Sequence, residues 1–531
     1  MLFTSYAFLG FMILLLIAYY LIPGKFQWQL LLVFSYWFYF LADFRYLFYI
    51  LITTATIYWT TVGIDKNREK QGAYLREHKE EMSKEEKKSY KSSQKKICRR
   101  LLIACLLLNL GILAVVKYGN FFIANMNGLF SVFGKTSQLS FVNLIMPLGI
   151  SFYTFQAIGY LIDVYQETVE VEKNPFKLAL FISFFPQLMQ GPISRYGDLS
   201  ETLYGEHKFD IRAVNRGLQR VLWGYFKKLV IADRILTAVS TITGDTEAYS
   251  GAYIFVGMLL YTIELYADFT GGIDITIGIA ETLGIVVQEN FNRPYFSKSL
   301  KEYWRRWHIS MCAWFRSYVF YPVSASKTLQ KFSGFSRKHF GEKMGRRLPV
   351  YVASFVVWLA TGIWHGASWN FVVWGLANWF VLMVSEELEP YYGKFHERYA
   401  NVGQKKAYKV FQIGRTFLLV CCLNLFDCYS SVVDTLRMTG SMFTAGNWNI
   451  LWNGALFDIG LTVVDYGILA GGVILMIIVS LIQRNGSVRE KIALRPYPVK
   501  FIVWYGLFLA VFLMGIYGIG YDASQFIYNR F

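Results

Sequence analysis

Apolar residues in this 531-residue chain fall in long unbroken blocks, not in the alternating or helical-face periodicities of soluble elements. Residues 6–22 carry no charge, and 28–42, 46–63, 101–117, 141–160, 348–366, 369–384, 410–426, 458–482 and 501–519 share that character. A helix needs about 20 apolar residues to cross the ~30 Å hydrocarbon core, so each block predicts a membrane span. Segments 120–134, 175–190, 215–235, 250–283 and 307–323 mix apolar runs with charge or glycine. The expected fold is an all-α polytopic membrane protein with about ten to thirteen hydrophobic helices.

Composition agrees. The chain is 55% hydrophobic, 18% aromatic and 17% charged, against roughly 25% charged in soluble domains. Its net charge of +17 sits in the loops. Residues 66–100 hold thirteen Lys/Arg against six Asp/Glu, and further basic clusters lie at 327–347, 405–409 and 484–500. Short basic loops stay cytoplasmic, which predicts 64–100 and 484–500 inside, with 427–457 and the tail Phe526–Phe531 outside. Topology and anionic lipid account for this charge, so no nucleic-acid partner is expected. The 64–100 arm reads as a solvated helical hairpin or a flexible cytosolic loop. The first block lacks a basic leader and a cleavage site, so it is expected to remain as an anchor. The six cysteines show no Cys-x-x-Cys pair, and neither a disulfide framework nor a zinc site is expected. Three sectors are predicted: spans with the basic arm over 1–118, a polar-interrupted core over 119–390, and plainer spans over 391–531.

Chemistry concentrates in that core. Four of the six histidines, His78, His207, His339 and His396, lie in charged segments that read as solvent-facing loops. The other two lie in tryptophan-rich apolar stretches: His308 in Tyr303-Trp-Arg-Arg-Trp-His-Ile-Ser310, and His365 in Gly362-Ile-Trp-His-Gly-Ala-Ser-Trp-Asn370. An ionisable group at membrane depth is costly and marks function, and imidazole both accepts and donates a proton near neutral pH. Glu264 and Asp268 are one helical turn apart and predict a shared face. Arg305, Cys312 and Arg316 would fall along one stripe of an ideal helix, with His308 at its edge. Such arginines either hold an anionic acyl carrier or snorkel to the interface.

Seven blocks, in order, resemble the membrane-bound O-acyltransferases: Met146–Gln156, Phe184–Ile193, Tyr225–Asp233, Tyr266–Gly271, Glu289–Tyr295, Tyr303–Phe315 and Trp364–Asn370. The branch they resemble contains the membrane subunit of alginate O-acetyltransferase. The resemblance implies slanted helices around a funnel or tunnel, with the histidine of Trp-His-Gly, here His365, as catalytic candidate and His308 as a second functional position. Where relatives carry Phe-Arg-Asp, this chain reads Phe315-Arg316-Ser317.

The implied reaction takes acetyl from cytosolic acetyl-CoA outward, for O-acetylation of a cell-surface or exported polysaccharide at the bacterial plasma membrane. Such transfer needs a base and a holder for the developing oxyanion. His365 is the expected base, with His308 beside it. Asn370, Ser368, Asp268 and Glu264 are expected in the tunnel or at the oxyanion, and Arg305, Arg306 and Arg316 at the donor. The thioester carries the chemical energy, so no cofactor or metal is expected. An extracellular acetyltransferase partner is expected to finish the transfer. D-alanyl transfer to teichoic acids and solute transport are the alternatives, and the absence of repeat symmetry disfavours the transporter. No Gly-x-Ser-x-Gly elbow, phosphate-binding glycine loop or His-Glu-x-x-His pair is present.

Overall fold

The computed structural model describes residues 3–134, 138–518 and 521–522. The predicted outer tail, 526–531, lies outside the described residues. Among those described, all regular structure is helical, and backbone proximity groups it into two units. The first comprises residues 1–214 with 279–287, the second 215–278 with 288–531. The sequence-derived sector edges at 118 and 390 fall inside helices.

The first unit contains α1 (Tyr6–Leu21), α2 (Gln27–Ala42), α3 (Tyr46–Glu77), α4 (Lys84–Val132), α5 (Ile150–Tyr165), α6 (Pro175–Ser183), α7 (Phe185–Gln190) and α8 (Tyr196–Leu203). The basic arm is a helical hairpin, because α3 and α4 continue past their apolar windows before the chain turns. Ser83 and Glu86 form a reciprocal capping box that starts α4. The base of the hairpin is joined by Asn67, whose amide donates to Gln94 at 2.8 Å. The expected span 141–160 is helical only from Ile150. Gly149 precedes it at φ +68°, and a Cβ there would meet the Leu188 carbonyl oxygen at 1.9 Å. Only glycine permits both that backbone conformation and that approach.

His207 differs from the solvent-facing loop expected of it. It is half-buried: Tyr19 Oη bonds its Nδ1 at 2.9 Å, and Gln27 clamps its backbone at both N–H and C=O. Burial holds its imidazole below the ordinary value. His339 and His396 likewise lie within helices.

The second unit runs through α9 (Ile211–Tyr225), a π-helical turn at Phe226–Ala232, α10 (Asp233–Gly244) and α11 (Ala252–Thr282). Short helices α12 (Leu300–Tyr303), α13 (Ile309–Phe315) and α14 (Tyr321–Ser324) follow, then α15 (Lys327–His365), broken at Gly341, and α16 (Trp369–Arg398). It ends with α17 (Lys406–Asn424), α18 (Val432–Thr444), α19 (Val463–Ile482), α20 (Val488–Ala493) and α21 (Tyr497–Met514). Among the described residues, eight helices, α3, α4, α11, α15, α16, α17, α19 and α21, are long and apolar enough to cross a membrane. Their lipid-compatible faces stay exposed, as in α21, which carries Phe501, Ile502, Phe508 and Phe512 outward.

Candidate active site around His308 and His365

The α15–α16 hairpin presents His365 as the last residue of α15. Glycines bring the two helices together. A Cβ on Gly362 would sit 2.5 Å from the Phe371 carbonyl oxygen, and one on Gly375 would sit 2.4 Å from that of Trp358. Small residues let membrane helices approach closely where no hydrophobic drive acts between them. Ser368 caps α16 by accepting from the Asn370 N–H. The Asn370 amide donates to the Tyr429 carbonyl and, at 3.1 Å, to Thr435 Oγ1, tying α16 to the start of α18. Ser368 and Asn370 thus hold the hairpin that carries His365.

His308 arrives from a different direction. The single helical stripe expected through Arg305, Cys312 and Arg316 does not form. The helix stops at Tyr303, and His308 stands at φ +47°, ψ +54° as the N-cap of α13. A π-helical turn then takes over at Arg316. The left-handed backbone at His308 is disfavoured for a side chain with a Cβ and persists only where neighbours over-determine it. Asn290 supplies that constraint. Its carbonyl accepts from Ile309 N at 2.9 Å, and its side-chain oxygen accepts from Ser310 N at 3.0 Å and from Ser310 Oγ at 2.9 Å.

The two imidazoles contact the same indole. Trp364 stands 6.0 Å from the His308 ring and 5.1 Å from the His365 ring, centroid to centroid. Phe269 of α11 lies edge-on to His308 at 5.0 Å, and Trp374 lies edge-on to His365 at 4.5 Å. His308 is fully buried, whereas His365 retains partial exposure. Two imidazoles thus share an aromatic environment, although 57 positions separate them.

The charged residues sort differently from the expectation. Helix α11 continues through Gly271 and Gly272, and Glu264 and Asp268 are both buried on it. Asp268 pairs with Lys228 at 2.5 Å, and Lys228 pairs with Asp233 at 2.8 Å. The Tyr521 hydroxyl donates to the same Asp233 at 2.9 Å. Next to this triad Lys227 binds Asp274 at 2.6 Å and Thr270 at 2.7 Å. Arg220 bridges Asp274 at 2.8 Å to Glu289 through a two-pronged contact at 2.6 Å. Close packing of α9 on α11 makes these pairs possible: a Cβ on Gly224 would lie 2.6 Å from the Gly271 oxygen. Sequence reasoning assigned no role to Arg220, Lys227, Lys228 or Asn290. The signal present was two lysines inside the otherwise apolar run Phe226–Ala232.

A cavity of about 730 Å³ opens beside this network, lined among others by Arg220, Trp223, Arg293, Ile309, Gln483 and Arg489. That size falls in the usual range for small-molecule sites. Its walls are largely apolar side chains of α19 and α21, its basic residues come from α9, 288–293 and α20, and Ile309 is the neighbour of His308. Burial, then the nearby guanidiniums of Arg306 and Arg484, hold Arg293 below its ordinary value, with Glu302 opposing. Arg306 also pairs with Glu302 at 2.5 Å. Arg305 and Arg316 are exposed, and neither they nor Glu264, Asp268 and Asn370 line this cavity. Among the described residues, no cluster of His, Cys, Asp and Glu has the makings of a metal site.

Known proteins share this chain's sequence over most of its length. Residues 172–337 match the profile of the membrane-bound O-acyltransferase family. The chain is 31% identical to the probable alginate O-acetylase of Azotobacter vinelandii over 454 residues, covering 85% of this chain and 79% of that one. It is 33% identical to the peptidoglycan O-acetyltransferase of Helicobacter pylori over 326 residues, 56% of this chain and 57% of that protein. The teichoic acid D-alanyltransferase of Bacillus subtilis is 28% identical over 288 residues, 52% of this chain and 68% of its own length. With its apolar helices and its match over most of its length, the chain belongs to the membrane-bound O-acyltransferase family and is a multi-pass acyltransferase of the bacterial cell membrane.

Proposed function

We propose that this protein takes acetyl from cytosolic acetyl-CoA and passes it outward for O-acetylation of a cell-surface or exported polysaccharide. The observation that carries this reading is the contact of His308 and His365 with the same Trp364 ring, with Ile309, next in sequence to His308, lining a cavity that Arg220, Arg293 and Arg489 also line. Relatives named for O-acetylation of alginate and of peptidoglycan support acetyl as the group and a polysaccharide as its destination.

In this reading, coenzyme A phosphates sit against Arg293 and Arg489, since guanidinium forks suit phosphate. The apolar wall takes the pantetheine arm past Ile309 toward the histidines. A hydroxyl oxygen attacks the thioester carbonyl carbon while His365 accepts the hydroxyl proton. The carbonyl electron pair moves onto oxygen, then returns as the carbon–sulfur bond breaks. The departing thiolate recovers the proton from His365 and leaves as free coenzyme A. Trp364, Trp374 and Phe371 exclude the water that would hydrolyse the donor. The thioester supplies the driving force, so no metal or further cofactor is required. An extracellular acetyltransferase partner receives the acetyl and completes its transfer to sugar.

Purified protein in sealed vesicles tests this. With labelled acetyl-CoA on the side of the basic loops, acyl transfer should release free coenzyme A thiol and retain it on the donor side. His365→Ala should reduce that release to background with the protein present at normal levels. Near-normal turnover in His365→Ala would refute the proposed role, and coenzyme A crossing with the acetyl group would refute the route.

A further inference from the structure

We propose that the indole N–H of Trp374 is the hydrogen-bond donor that stabilises the oxyanion formed during acyl transfer at His365. The inference rests on the proposed acyl-transfer reading and assigns a catalytic residue within it. Trp374 is 5% exposed, and among the described residues its Nε1 has no hydrogen-bond partner. Buried donors are satisfied in the great majority of cases, so an orphan beside a reactive group calls for an explanation. This one belongs to the ring that stands edge-on to His365 at 4.5 Å, nearer than Trp364 or Phe371.

The surroundings fix that ring. Trp304 packs edge-on against it at 5.7 Å and Trp358 at 6.2 Å, and Gly375 seats its helix directly on the α15 backbone. A donor held rigidly in a dry site needs no reorganisation when charge develops, which is the requirement for electrostatic catalysis. Three nearby donors are committed. The Trp304 N–H goes to Asn378 Oδ1 at 3.2 Å, the Trp379 N–H to the Tyr351 carbonyl at 3.1 Å, and the Asn370 amide to Tyr429 and Thr435. Trp374 keeps its donor in hand.

In the reaction, the acceptor hydroxyl oxygen bonds to the thioester carbonyl carbon and its proton passes to His365. The carbonyl π pair moves to oxygen, where the Trp374 N–H meets it. When the pair returns, the carbon–sulfur bond breaks and the thiolate leaves with the proton from His365. The indole neither gains nor loses a proton.

Three variants decide the matter: Trp374→Phe, Trp374 replaced by benzothienylalanine (the same bicyclic shape with sulfur in place of N–H), and Trp379→Phe as a control for loss of an indole on the same helix. Both Trp374 variants should lose about 100-fold or more in kcat with KM for acetyl-CoA changed by less than about threefold. Trp379→Phe should remain near wild type. The melting temperature separates catalysis from packing. Benzothienylalanine removes an orphan polar group without changing shape, so the variant should melt at or above wild type while turning over slowly. If benzothienylalanine retains a third or more of wild-type kcat, the N–H is not the donor and the inference is overturned. A dead His365→Ala with a fully active Trp374→Phe would sink this inference alone, whereas an active His365→Ala would sink the reading beneath it.

Discussion

Replacing Lys228 with methionine should destabilise this protein more than replacing either of the carboxylates it holds. Its side chain is 1% exposed and lies 2.5 Å from Asp268 and 2.8 Å from Asp233, whose side chains are 3% and 4% exposed. One formal cation therefore faces two formal anions. Lys228→Met leaves both carboxylates buried together without that cation, and stripping one partner from a buried pair costs about 3–5 kcal/mol. Asp268→Asn instead leaves a balanced Lys228–Asp233 pair, with the new amide oxygen still able to accept from the ammonium. That change exchanges a charged hydrogen bond for a neutral-acceptor one and should cost about 1–2 kcal/mol. At about 2–4 °C per kcal/mol, Lys228→Met should melt about 6–20 °C below wild type and Asp268→Asn about 2–8 °C below. Thermal unfolding in one detergent, followed by tryptophan fluorescence and by loss of the monodisperse peak, gives the order directly. A Lys228→Met protein as stable as Asp268→Asn would refute the reasoning, because the triad would then not depend on its cation.

Asn290→Ala removes the acceptor for both Ser310 contacts and should lower kcat more than it raises KM, since it releases the left-handed turn that aims His308; Asn290→Asp, which keeps the acceptor, should recover part of the loss. Arg293→Gln combined with Arg484→Gln should raise the KM for acetyl-CoA with kcat little changed, and the wild-type KM should climb with ionic strength more steeply than the variant's. His207 should give the first unit a pH-dependent stability. Its folded value is lowered by burial, so its contribution is present above about pH 6.5 and is lost as pH falls, because the unfolded chain binds the proton first. A His207→Gln protein should melt with a flatter pH profile over that window. In a cysteine-free background, Glu80→Cys should react with an impermeant thiol reagent only after cells are opened, and Trp452→Cys should react in intact cells, checking the orientation set by the basic loops.

The sequence by itself determined the solvent and the cast of this protein. Unbroken apolar blocks required spanning helices because lipid offers the backbone no hydrogen-bond partner. Rarity picked out His308 and His365: two histidines in aromatic, apolar stretches stand apart from four in charged ones. The charge pattern of the basic arm suited either a solvated helical hairpin or a flexible loop, and the structure forms the hairpin. Other features were settled only by tertiary structure. Periodicity extended a helix through Arg305–Arg316, but Asn290 from a distant loop holds His308 in a left-handed turn that ends that stripe. Two lysines in an apolar run gave no sign of their partners, yet close glycine contacts between α9 and α11 seat Lys228 against Asp268 and Lys227 against Asp274. The 141–149 stretch has the hydropathy of a helix and lacks the backbone of one: the Asn120 side chain takes both the N–H and the C=O of Val142, and Gly149 turns left-handed against Leu188. Local patterns report how much a residue avoids water. Which partner satisfies it depends on elements far away in the chain, and for a buried charge or an orphan N–H that partner decides the chemistry.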